Sequence, residues 1–160
     1  MKTWKYLFKN LMPFLVLVLG FQAALAQNES NGLADAIATK QFVFKAQTVF
    51  PNFGAARQVT GEGYDVKLTG DSLVSYLPYF GRAYAAPLGT EGGIKFTSTQ
   101  FDYAVKNRKK GGWNIVIKPA DVSNFREFLL NVSENGSATL RALSNNRQPI
   151  SFNGKIELKD

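Results

Sequence analysis

From Phe42 to Leu158 oily and wetted side chains alternate with a period of two, a rhythm that only pleated backbone can sort into a buried face and a solvated one. Phe42, Phe44, Ala46, Thr48 and Phe50 are expected on one face of a first strand, with Val43, Lys45, Gln47 and Val49 on the other, until Pro51 ends it. Tyr64, Val66 and Leu68 alternate up to Gly70-Asp71, which turns the chain into Ser72–Leu77 as a hairpin. Ile94, Phe96 and Ser98 set one parity and Phe101, Tyr103 and Val105 the opposite one, so a bulge or bend is expected between them. Trp113, Ile115 and Ile117 follow, then Phe128, Leu130 and Val132, the hairpin signal Asn135-Gly136, and Ala138, Leu140 and Ala142. Ile150, Phe152, Gly154, Ile156 and Leu158 close the series. The expected fold is mainly β: a single curled antiparallel sheet or small barrel-like meander of about eight strands. Leu33 and Ile37 share a helical face, so one short N-terminal helix is expected over 33–38. Asp121 to Phe125 reads equally as a capped helical turn or as a plain loop.

The first 26 residues are a different kind of sequence. Lys2, Lys5 and Lys9 precede an apolar run from Leu11 to Phe21, and Ala24-Leu25-Ala26 then supplies a small-x-small cleavage site. The run holds about 11 residues and contains Pro13, whereas a bilayer-crossing helix needs about 20. Residues 1–26 are therefore expected to be a cleavable secretory signal and residues 27–160 a single β-rich domain, periplasmic or extracellular. With no cysteine to carry a lipid, the domain is expected to be neither a lipoprotein nor, after cleavage, an integral membrane protein.

The formal charge of +7 includes the three leader lysines, so residues 27–160 carry sixteen basic against twelve acidic side chains, a net +4. Their one cluster, Lys106 to Lys110, precedes Gly111-Gly112 and reads as a solvated hairpin tip rather than an anion dock; no nucleic-acid partner is expected. The absence of histidine and cysteine removes Ser-His-Asp machinery, thiolate nucleophiles and most zinc sites. Glu62, Asp65, Asp71 and Glu91 are turn-associated acids that a carboxylate-pair hydrolase could use, but such residues ordinarily serve as caps and solvated charges. Gly89 to Lys95 lacks the Gly-Lys-Ser/Thr ending of a phosphate loop. The expectation is a non-enzyme without cofactor or metal.

The densest segment runs Tyr76-Leu77-Pro78-Tyr79-Phe80-Gly81-Arg82-Ala83-Tyr84. Pro78 interrupts a strand ladder and Gly81 permits a tight bend, so a corner is expected. Its rings either pack that corner or form a platform in which Tyr76, Tyr79, Phe80, Arg82 and Tyr84 bind a ligand, with Arg82 as the anion clamp. This segment, with Gly92 to Phe96 and Arg147 to Gly154, resembles the uncharacterised family known as domain of unknown function 4251. The resemblance spans nearly all of residues 27–160; it implies an exported bacterial protein of one domain and supplies no catalytic residue.

Two roles follow as expectations. One is a periplasmic or envelope accessory domain whose curled sheet holds an apolar or amphipathic ligand at the aromatic corner. The other is an interaction module that joins an envelope complex through a sheet edge or its Phe-rich surface. A cavity beneath residues 76–84 would favour the first and a filled interior the second.

Overall fold

The structure is a computed structural model that describes residues 32–81 and 92–158. The leader, Arg82, Tyr84 and Glu91 lie outside the described residues. Helix α1 (32–39) leads into β1 (Gln41–Phe50), β2 (Arg57–Gln58), β3 (Asp65–Thr69), β4 (Ser72–Leu77) and β5 (Ile94–Ser98). Then come β6 (Phe101–Asn107), β7 (Trp113–Pro119), β8 (Phe125–Val132), β9 (Ser137–Ser144) and β10 (Ile150–Leu158). Every alternating segment of the sequence is a strand, and β2, two residues long, is an addition that alternation could not announce.

All pairs are antiparallel, and the sheet runs β5-β4-β3-β1-β10-β9-β8-β7-β6, with β2 beside β1. The edge strands β5 and β6 are neighbours in sequence, joined by Thr99 and Gln100 alone. Along an antiparallel path of nine strands, first and last point the same way. So short a link between two strands of equal sense can only join them head to tail. β5 and β6 are thus one bent stave whose first half pairs with β4 and whose second half pairs with β7. The parity change at Ser98 is this bend, and it curls the sheet into a nearly closed barrel-like form.

The interior is filled. Phe42, Phe44, Phe128 and Phe152 have no exposure, nor do Val49, Leu68, Leu73, Leu77, Ile117, Val132 and Leu140. Each such ring contributes about 1.5–3 kcal/mol by leaving water. Leu33 and Ile37 bring the apolar face of α1 into the same core, and Tyr103 Oη donates 2.8 Å to the Ile37 carbonyl, tying helix to β6.

One expectation for β1 fails. Phe42, Phe44 and Ala46 do face inward, but a bulge between Ala46 and Thr48 against β10 shifts the register. Val49 becomes the buried residue, and Phe50 is turned outward with 41% exposure. The extra residue, Gln47, resets the parity that simple alternation carries forward.

The turns follow their local chemistry. Gly136, at φ 78°, ends a three-residue loop in which Ser133 N–H donates to the Ser137 carbonyl. The basic cluster sits at the exposed β6–β7 hairpin tip, closed by Gly111 and Gly112 at φ 84° and 82°. Residues 121–124 form a turn with no helix. Asp121 there receives Ser98 Oγ–H and, at 3.0 Å, Thr99 N–H, so it holds the bend between β5 and β6 instead of capping its own segment.

Candidate functional site

β7 stops at Pro119, opposite Phe101, which is where β6 begins. Beyond that point β5 has β4 on one side and, among the described residues, no strand on the other. The turn at 121–124 and the start of β8 stand across from it, and the space between is a cleft of about 400 Å³. Five consecutive residues, 93–97, form one wall, as expected when a strand presents its edge. Phe96 forms part of the floor: its ring lies 4.9 Å from that of Phe125 and 6.0 Å from that of Phe128, and Phe125 and Phe128 are 4.4 Å apart. The rim is polar, with Ser123, Asn124, Ser144 and Asn146. Arg147 closes one end by donating from Nη1 to the Gly93 carbonyl at 2.6 Å. At the other end the hydrogen bonds to Ser98 and Thr99 hold the Asp121 carboxyl below the usual carboxylate range.

The expected aromatic platform divides among separate partners. Tyr76, 43% exposed, points outward from β4 and stacks on Tyr64 at 5.7 Å, with Lys95 Nζ 4.7 Å from its ring. Tyr79 packs against the core, donates 3.1 Å to the Gln148 carbonyl and lies 5.1 Å beneath the Arg147 guanidinium. Phe80, 36% exposed, sits under Arg57 at 4.7 Å beside a cleft of about 310 Å³ shared with Phe53 and Gln148. The arginine that meets Tyr79 is therefore Arg147, which links the corner to the cleft at β5. Beneath the corner, Leu73, Ser75 and Leu77 are buried, and Ser75 Oγ donates 2.8 Å to the Ile94 carbonyl.

Phe96, Asn124, Phe125 and Arg147 escaped the sequence reading as site residues. The parity break at Ser98 marked their neighbourhood, but which strand loses its partner there is a long-range fact. Among the candidate acids, Asp65 is 4% exposed and engaged by Lys45 at 2.9 Å and Lys67 at 3.3 Å. Burial, with the Glu62 carboxylate adding to it, pushes the Tyr64 phenol up. Among the described residues no cluster of three or more His, Cys, Asp or Glu could hold a metal, and no helix is long and apolar enough to cross a membrane.

The sequence profile of the family described as a domain of unknown function (DUF4251) matches residues 24–156. The chain belongs to that family. The DUF4251 match spans the residues of the cleft and of the corner alike. A crystal structure of a DUF4251 family protein from Bacteroides eggerthii DSM 20697 superposes with a TM-score of 0.65 at 20% identity, covering 81% of this chain and 87% of that one. At that identity the likeness speaks for a shared DUF4251 fold. Comparison with curated proteins gave no match.

Proposed function

We propose that residues 27–160 form an exported, non-catalytic accessory domain of the bacterial envelope, released from its leader after Ala26, which binds an extended polypeptide segment along the side of β5 that faces the cleft. The observation that carries this reading is that, among the described residues, β5 pairs with β4 alone, while the Phe96 and Phe125 rings stand beside its other side. A bare strand edge offers a row of N–H and C=O groups that an added strand satisfies, while a flanking pocket takes one of its side chains. The filled interior supports an edge-binding role over a ligand held inside the barrel. A second reading, a small amphipathic ligand in the same cleft, is favoured by the volume of about 400 Å³, which falls in the usual range of ~300–1,000 Å³ for such sites.

The chain has no cysteine, so Thr97→Cys creates a unique thiol on the cleft wall. Crosslinking from that thiol in intact cells is expected to capture a defined envelope protein, and adding Phe96→Ala is expected to weaken capture by about 30-fold, the scale of a buried aromatic anchor. A small-molecule adduct in native mass spectra, lost with Phe96→Ala, selects the second reading. Neither a protein conjugate nor an adduct, with the fold intact by circular dichroism, refutes the site. Retention of residues 1–26 on the purified protein, read by N-terminal sequencing, refutes export by cleavage.

A further inference from the structure

On the outer surface of the sheet, away from the core, the outward faces of six strands line up a row of uncharged polar residues. Asn114 of β7 stands opposite Asn131 of β8, Asn131 opposite Thr139 of β9, and Thr139 opposite Asn153 of β10. Asn153 in turn faces Thr48 of β1, and Thr48 faces Gln58 of β2. With neighbouring strands about 4.8 Å apart, the row runs across the strands for about 24 Å, measured along the curved outer surface of the sheet. Thr48 is half-buried and the other five are exposed.

Asparagine is disfavoured in strands, yet it occupies this row in three of them. Asn153 serves a cross-strand hydrogen bond, but Asn114 and Asn131 make no side-chain hydrogen bond among the described residues, so fold stability does not account for the choice at those two. Every side chain in the row can both donate and accept a hydrogen bond, as can a sugar hydroxyl, and amides give up water more cheaply than charges do. Thr139 Oγ1 donates to Asn153 Oδ1 at 3.1 Å and Thr48 Oγ1 to Gln58 Oε1 at 3.0 Å, which orients both amide nitrogens as remaining donors.

The middle of the row, Asn131, Thr139 and Asn153, is also recessed and flanked by cations. The β1 bulge opens a depression of about 690 Å³ lined by Gln47, Asn131, Thr139 and Asn153, with Arg108 at its border. Arg141 stands two residues from Thr139 on one side of the row and Lys155 two residues from Asn153 on the other, both exposed. Neither these nor Arg108 has an ion pair among the described residues, and Asp65, which lies opposite Lys45 on β1, is already held by Lys45 and Lys67.

We propose that this face binds an extended anionic polysaccharide laid across the strands, with the Asn/Thr/Gln row engaging its hydroxyls and Arg108, Arg141 and Lys155 engaging its acidic groups. A β-linked chain repeats at close to the inter-strand spacing, so successive sugars meet successive strands.

The test titrates a linear β-1,4-linked oligoglucuronate, and separately a neutral cello-oligosaccharide, into isotope-labelled protein followed by amide NMR. The oligoglucuronate is expected to shift Asn131, Thr139, Asn153 and Gly154, and the neutral chain to bind more weakly at the same residues. Asn131→Val, which removes an amide but suits a strand better, is expected to raise the melting temperature while weakening binding by about tenfold. Arg141→Ala is expected to weaken the acidic chain and leave the neutral one unchanged. Binding that responds to Arg141→Ala but not to Asn131→Val is charge attraction alone and overturns the proposal. So do shifts confined to 93–97 and 121–125, equal affinity for both chains, or no shifts with either.

Discussion

Gly154→Ala is the sharpest test of how the barrel is held together. β1 and β10 form the longest pairing in the sheet, and Gly154 lies opposite Ala46 where the bulge begins. A Cβ built there would stand 2.0 Å from the Lys45 carbonyl oxygen and 3.0 Å from Phe44 Cε2, whereas real Cβ contacts stay above 3.0 Å. The obstruction is backbone, so no rotamer relieves it, and the strands must part by at least about 1 Å, the difference between those two distances. An N–H···O bond lengthened that far is broken. Losing two ladder bonds at ~0.5–1.5 kcal/mol each, together with overpacking at ~1–3 kcal/mol, gives a loss of ~3–4 kcal/mol. With a urea dependence of ~1.5–2 kcal/mol/M, the unfolding midpoint drops by about 2 M. Gly63→Ala is the control: nothing stands within 4 Å of its added Cβ, and only its φ of 75° opposes the change. That left-handed penalty is ~1–2 kcal/mol. A midpoint loss for Gly154→Ala no greater than for Gly63→Ala would refute the close-approach argument.

Two further perturbations address the bend and the helix. Asp121 has a lowered pKa in the fold, from its hydrogen bonds to Ser98 first and the Thr99 amide second. A depressed acid adds stability that is complete above its unfolded value, about 3.9, and is lost as pH falls through the folded value. Asp121→Asn is therefore expected to flatten the acid limb of stability below about pH 4 in thermal melts; an unchanged limb would contradict the assignment. Tyr103→Phe removes the hydrogen bond to the Ile37 carbonyl at a cost of ~1–2 kcal/mol, and amide exchange in residues 33–40 is expected to quicken while β8 and β9 keep their protection. Uniform acceleration would mean that the helix is no separate unit.

Hairpins were legible because their information is local. Gly70-Asp71, Gly111-Gly112 and Asn135-Gly136 each specify a turn from neighbouring residues, and β3–β4, β6–β7 and β8–β9 all form across them. The fate of Thr48 and Phe50 was not legible, because the bulge depends on an approach between Lys45 and Gly154, which lie near opposite ends of the fold's sequence. The aromatic corner misled for a related reason. Tyr76 and Tyr79 are close in the chain, but Tyr76 leaves β4 on the outer face while Leu77 turns in, and the rings acquire different partners. The outer Asn/Thr/Gln row was invisible until registers were known, since its members come from six strands.

The cleft at β5 follows from the same registers. Because β5 and β6 are a single bent stave, β7 can accompany only one half of it, and the last backbone bond of that partnership, from Ala120 N–H to the Gln100 carbonyl at 2.7 Å, falls where the bend begins. Past Ile117 and Phe128 the β7 side of β8 also lacks a paired strand among the described residues, although Lys118 still reaches Glu127 at 3.6 Å. A chain continuing along the line of β7 would thus meet β5 on one side and the start of β8 on the other, antiparallel to both. Residues 121–124 leave that line instead and fold over its end. An incoming segment running in the sense of β7 completes both edges at once, whereas the reverse sense makes a parallel pair with each, whose bonds are slanted and slightly weaker per residue. The polarity of whatever occupies the cleft is therefore set by where β7 stops, and not by the residues that line the pocket.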